Sequence, residues 1–213
     1  LDNILSLYYR PTRLFGSLSV SENPSGRVLL ILIIIHLIYA GALISTGVGD
    51  YEIRAAAQRD MVRYLELHQG DDTPDELNQA LDALEKGAVY NQLLLRVWLL
   101  VGGPIVLLTR IGLLVGALYL LVALRGTKPD SGVLAAVVIY AHLVEVPRLV
   151  LRLALVSQLH VSRVETSAAA LVGGPESGWP TYVLLRQLDP FTAWYWFLVG
   201  LGVFVSQQLR LRA

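Results

Sequence analysis

The sequence predicts an all-α integral membrane protein with four transmembrane helices, a fifth being possible, together with an N-terminal interfacial helix and an extracytoplasmic amphipathic helical hairpin. Three observations carry this. The 213 residues are 54% hydrophobic and only 16% charged, outside the usual range of soluble domains. Several apolar runs reach the ~20 residues that a helix needs to cross a hydrocarbon core of about 30 Å. Lysine and arginine gather at one set of segment ends and acids at the other, as the positive-inside rule requires.

The same numbers exclude other classes. Formal net charge is zero, so nothing points to a nucleic-acid partner. Cysteine is absent, which removes disulfides, thiolate metal sites and a cysteine nucleophile. No short apolar run ends at a small-residue cleavage site, so no signal peptide is expected.

Residues 1–26 read as an interfacial segment. Ile4, Leu5, Tyr8, Leu14, Phe15 and Leu18 are broken by Arg10-Pro11, a pattern for two short helices lying among headgroups with Arg10 and Arg13 toward anionic lipid. Asn23-Pro-Ser-Gly26 predicts a turn. The remainder, 27–213, reads as one transmembrane domain. Its first span is Val28 to Val48, with His36 as the only ionisable residue.

Residues 50–90 turn polar and predict the hairpin inserted between the first and second spans. Thr73-Pro-Asp-Glu76 combines an N-cap threonine, proline at the first helical position and a capping-box glutamate. Leu77, Ala80, Leu81 and Leu84 make the apolar stripe of that helix, and Gly87 is its expected stop. Leu93 to Leu124 is too long for one upright span, at roughly 48 Å. Gly102-Gly-Pro104 is the expected break, with Ala88 to Val101 as an interfacial or partly inserted helix. Pro104 to Leu124 is the second span, Arg125 to Asp130 a basic turn, and Val133 to Val156 the third span. Asp189-Pro190 opens the last span, Phe191 to Gln207, with Asp189 as N-cap; Trp179, Trp194, Tyr195 and Trp196 mark its interface.

Arg10, Arg13, Arg27, Arg125, Lys128, Arg210 and Arg212 lie at one set of ends. Both termini and the basic turn are therefore expected in the cytoplasm.

Charges inside the spans carry the functional expectations, since each costs at least ~2.5 to 3.5 kcal/mol unless it pairs or reaches water. Antiparallel packing of the second and third spans brings Arg110 level with Val146, which predicts an Arg110–Glu145 ion pair. His142, Glu145, Arg148 and Arg152 share one third of their helix surface and are expected to face protein. Arg148 and Arg152 either snorkel to water or meet Asp189, or, with Arg96, they contact a lipid phosphate or a partner's carboxylate. His36 and His142 lie at similar depth on parallel helices, where two imidazoles can ligate haem b; plain hydrogen bonding is the alternative. Gly112-x-x-x-Gly116 and Gly200 permit close helix packing. No esterase, metalloprotease or phosphate-loop motif is present, so no catalytic apparatus and no metal site are expected.

The chain resembles small bacterial members of the Yip1-domain family. The residues that carry the resemblance are Arg10-Pro-Thr-Arg-Leu-Phe15, Thr73-Pro-Asp-Glu-Leu77, Arg125-Gly126, Tyr140-Ala141 with Pro147, and Leu188-Asp-Pro-Phe-Thr-Ala-Trp194 followed by Gly200. The resemblance implies a non-enzymatic role and five spans where the residues count four. It also implies GTPase binding through a long cytosolic N-terminal region, of which this sequence has only about 26 residues. The expected function is that of an adaptor or accessory subunit that packs against another membrane protein or complex. Lipid or anion handling by the arginine cluster and haem-based electron transfer are the alternatives.

Overall fold

The computed structural model describes residues 2–18, 25–68, 73–126, 128–162, 164, 166–169 and 179–212. Asn23 and Pro24 of the expected Asn23-Pro-Ser-Gly26 turn and the side chains of Trp179, Arg210 and Arg212 lie outside the described residues. The described residues form helices and no strand. These are α1 (Asp2–Tyr9), α2 (Pro11–Leu18), α3 (Ser25–Ser45), α4 (Val48–Leu67), α5 (Pro74–Val97), α6 (Gly103–Leu124), α7 (Ser131–Ala141), α8 (Glu145–Leu159), α9 (Trp179–Gln187) and α10 (Pro190–Arg212).

Three helical stretches are long and apolar enough to cross a membrane: Ser25–Ser45, Pro74–Leu124 and Ser131–Leu159. Pro190–Ser206 is a shorter apolar helix. The chain is thus an all-α protein of membrane-spanning composition.

The central element is α7. Leu134 and every residue from Ala136 to Ala141 are buried, because α3, α6, α10 and the N-terminal helices all pack on it. Asp130 caps it, its carboxylate accepting from the Gly132 and Val133 amides at 2.8 and 3.2 Å. Helices α1 and α2 belong to this core. Leu7, Leu14, Phe15 and Leu18 are buried, with α2 against α10 and α7.

The expected break at Gly102-Gly-Pro104 does not occur. Residues Pro74–Leu124 run as 51 continuous helical residues, about 76 Å by the helical rise, and Gly87 does not stop them. A π-helical turn over Trp98–Gly102 joins α5 to α6. Its wider i→i+5 bonding removes the need for an N–H at Pro104, so proline is absorbed without breaking the helix. The Trp98 ring lies over Gly102, where an added Cβ would come within 2.7 Å of it. Helix α4 packs along α5 and begins at Gly47, whose φ of 68° is the left-handed conformation that glycine takes without strain.

A second irregularity interrupts the Ser131–Leu159 helix, a 3-10 turn over His142–Val144. It precedes Pro147, which has no N–H for the Leu143 carbonyl four residues back. The Tyr8 hydroxyl donates to that carbonyl instead, at 2.8 Å.

The small-residue expectations divide. An added Cβ at Gly112, Gly116 or Gly200 would meet nothing within 4 Å, so these glycines are not packing points between helices of this chain. The stripe of α6 turned to the bundle runs through Leu107, Ile111 and Val122, and Gly112 and Gly116 lie off it. The close approach is at Gly202 instead, where a Cβ would lie 2.5 Å from Val137 and 3.2 Å from Phe15.

Candidate functional site: an arginine cluster within the spans

Arg148 is the hub of the charged residues. On its own helix it meets Glu145 one turn earlier, Nη1 lying 3.2 and 3.3 Å from the two carboxylate oxygens. Its Nη2 lies 2.6 Å from Asp189, a residue only 3% exposed, and its Nε donates to Thr166 at 3.4 Å. One guanidinium therefore ties α8 to the segment that follows it and to the head of α10. The five fixed donors of arginine suit it to such a junction better than a lysine ammonium would.

Asp189 is the expected N-cap. It accepts from the Phe191 amide at 3.0 Å and from the Thr192 hydroxyl at 3.2 Å, while Pro190 begins the helix. A carboxylate at a helix N-terminus is stabilised by the orphan amides and the dipole. Here Arg148 compensates its burial as well.

The expected Arg110–Glu145 pair is not formed. Arg110 and Glu145 line the same cavities, so the register brings them close. Glu145, however, is engaged by Arg148. The depth argument fixed the level of Arg110 but not its rotation about the α6 axis. Arg110 flanks the buried Leu107–Ile111 stripe and is exposed, and among the described residues no ion pair reaches it.

Arg110, His142, Glu145 and Arg148 form a wall shared by two cavities. The first, of about 380 Å³, also touches His36, Trp98, Gly102, Gly103 and Arg152. The second, of about 410 Å³, opens between α6 and α10 over Leu113, Leu114, Ala117, Thr192, Tyr195 and Trp196. His142 is buried against the edge of the Tyr195 ring, 4.8 Å between centroids. His36 and His142 each donate Nδ1–H to the carbonyl one turn back in their own helix, Leu32 at 2.8 Å and Val138 at 2.9 Å. Both rings face the first cavity. Among the described residues no group of three His, Cys, Asp or Glu side chains is arranged to hold a metal ion.

Arg152 links this cluster to a third cavity of about 390 Å³ lined by Tyr39, Asp50, Glu52, Arg96 and Ser162. There Arg96 pairs with Asp50 at 2.5 Å. Glu52 is engaged by the Ser162 amide at 2.8 Å and by the Ser162 hydroxyl, fastening the end of the third apolar helix to α4. Arg152 has no ion-pair partner among the described residues, and its Nε is buried without a hydrogen bond. Leaving a charged donor in that state is costly, so such an atom points to an acceptor supplied from elsewhere.

Sequence reasoning identified Arg110, His142, Glu145, Arg148 and Arg152 as one group, and the structure brings them together. It missed Thr166, Tyr195, Tyr8 and the Asp50–Arg96 pair. Pro147 signals that the Leu143 carbonyl needs another donor, but nothing in the sequence names Tyr8 as that donor. No protein-family model, no curated protein and no solved structure matches the chain.

Proposed function

We propose that this is a non-catalytic inner-membrane protein that recognises an anionic group from within the bilayer through Arg110 and Arg152, with Arg148 holding the receptor together. The observation that carries the reading is the state of those two cations. Among the described residues every neighbouring carboxylate is engaged elsewhere: Glu145 and Asp189 by Arg148, Asp50 by Arg96, Glu52 by Ser162. A charged side chain facing a span without a partner is a site by default. The anion comes from a lipid or from a carboxylate of a neighbouring membrane protein.

The accessory-subunit reading is favoured by a separate observation. Helix α5 continues through the π-turn into α6 without a break, so α4 and α5 are carried on an extension of that helix. That extension exposes Val62, Leu67, Val89 and Tyr90, an apolar set suited to a protein partner. We take α3, α6, α7–α8 and α10 as four spans, with the basic turn and both termini in the cytoplasm by the positive-inside rule. The motif most telling for the Yip1-domain resemblance, Leu188-Asp-Pro-Phe-Thr-Ala-Trp194, contains the aspartate that meets Arg148.

Extraction from native membranes in a mild detergent, followed by native mass measurement, tests the reading. Wild-type protein is expected to carry a lipid or partner chain at fixed ratio, and Arg110→Gln with Arg152→Gln to lose it. A bare wild-type particle, unchanged by both substitutions, overturns it.

A further inference from the structure

The two cavities that share the Arg110 wall lie in series along one helix. On the long helix the first is bordered from Trp98 to Arg110 and the second from Arg110 to Ala117. The upper part holds three arginines. The lower part is apolar on both sides, Leu113, Leu114 and Ala117 facing Trp196 across the groove. Charge above and hydrocarbon below is the profile of a phospholipid.

The direction also fits one leaflet. Arg148 meets Asp189 at the head of α10, and the second cavity borders that helix only over its first two turns, from Thr192 to Trp196, at the end opposite its basic C-terminus. The polar end is thus nearer the face opposite the basic turn, and the groove runs from there toward the midplane, as an acyl chain of that leaflet does. The seven residues from Arg110 to Ala117 cover about 10 Å, roughly half of an extended chain. By the positive-inside rule that face is external.

The geometry points to one anionic glycerophospholipid of the outer leaflet seated in this tandem cavity, its phosphodiester on Arg110 and Arg152 and one acyl chain along Leu113, Leu114, Ala117 and Trp196. The proposal rests on the anion-receptor reading above and names its ligand. A phosphodiester offers the acceptors that the Arg152 Nε lacks, and arginine binds it through paired N–H groups. An uncharged glycerol headgroup suits the site, because the only carboxylate among its described lining residues, Glu145, is already held by Arg148, which leaves the ammonium of a zwitterionic lipid without a partner among three arginines.

The test is native mass spectrometry of the detergent-purified full chain with added phosphatidylglycerol, phosphatidylcholine, dihexanoyl phosphatidylglycerol or inorganic phosphate. One long-chain phosphatidylglycerol is expected to stay bound where phosphatidylcholine is lost. Arg110→Gln and Arg152→Gln are each expected to weaken it roughly tenfold, as loss of one charge-assisted contact does, with Arg110→Lys intermediate. Ala117→Trp, which fills the groove, is expected to remove the long-chain preference and leave binding of dihexanoyl phosphatidylglycerol intact. Monodisperse elution and an unchanged unfolding midpoint verify that each variant is folded.

If inorganic phosphate and the short-chain lipid bind as well as the long-chain lipid and Ala117→Trp changes nothing, the lipid proposal falls and the anion receptor stands. If a protein chain released by Arg110→Gln occupies the site, the lipid proposal falls in favour of a partner's carboxylate. If nothing binds and the arginine variants behave as wild type, both fall.

Discussion

Proline in the third apolar helix creates a demand that another part of the chain meets. Pro147 deprives the Leu143 carbonyl of its helical donor, and the Tyr8 hydroxyl supplies one at 2.8 Å. Leu143 is twelve residues past Ser131, about 18 Å along the axis, so Tyr8 fastens α1 well inside the bundle. Tyr8→Phe removes this donor and leaves the carbonyl only the Glu145 amide, and is expected to cost about 1 kcal/mol. Pro147→Ala restores a backbone N–H to the same carbonyl, so in that background Tyr8→Phe should cost markedly less. Denaturation midpoints of the two single variants and the double variant in one detergent measure the coupling, and strictly additive losses would show that the bond is incidental. The proline was visible in the sequence and so was the tyrosine. Their pairing was not, because 139 residues separate Tyr8 from Pro147 and no periodicity connects them.

Element boundaries were legible where they depend on neighbouring residues and obscure where they depend on which face of a helix meets protein. The capping box is of the first kind. The Thr73 amide and hydroxyl donate to Glu76 at 2.9 and 2.8 Å, and these bonds hold the Glu76 carboxyl below its ordinary range. A carboxyl with a depressed folded value contributes stability above the unfolded value of 4.5, lost as pH falls through the folded one. The protection of amides 76–78, taken relative to their intrinsic exchange rate at each pH, is therefore expected to fall on acidification below that value in wild type, and Glu76→Gln should flatten the dependence. The glycine stripe is of the second kind. In lipid both faces of a helix are apolar, so periodicity does not reveal the stripe that faces protein, and Gly112-x-x-x-Gly116 looked like a contact. Gly202 makes the contact because α7 and α2 converge on it. Gly202→Ala forces Val137 and Phe15 apart and is expected to cost about 1–3 kcal/mol. Gly112→Ala and Gly116→Ala fill open space and should be neutral or slightly stabilising, since alanine favours the helix by roughly 1 kcal/mol over glycine. A Gly116→Ala variant as damaged as Gly202→Ala would mean that α6 has a partner helix outside this chain.

At the scale of the whole molecule, one rigid element joins the part that reads as extramembrane to the part that reads as buried in lipid. Composition made the membrane class evident, and the charged group of the third helix was visible from spacing. The continuity of Pro74–Leu124 was not visible, because Gly102-Gly-Pro104 has the residues of a helix terminus and only the π-turn absorbs them. The α4–α5 arm and Arg110 share one continuous helix, so the proposed partner surface and the proposed anion site lie on a single element. The absence of cysteine makes the geometry directly measurable. Spin labels on Asp82→Cys and Leu124→Cys are 42 residues apart and should lie about 63 Å from each other if the helix is continuous. A bend at Gly102 would shorten this and broaden the distribution. The same single-cysteine variants fix the topology in intact cells. An impermeant maleimide should reach residue 82 from outside and should reach a cysteine at Lys128 only after lysis. Labelling of both positions from one side would require the long helix to fold back within the bilayer, and would overturn the single crossing on which the outer-leaflet lipid site depends.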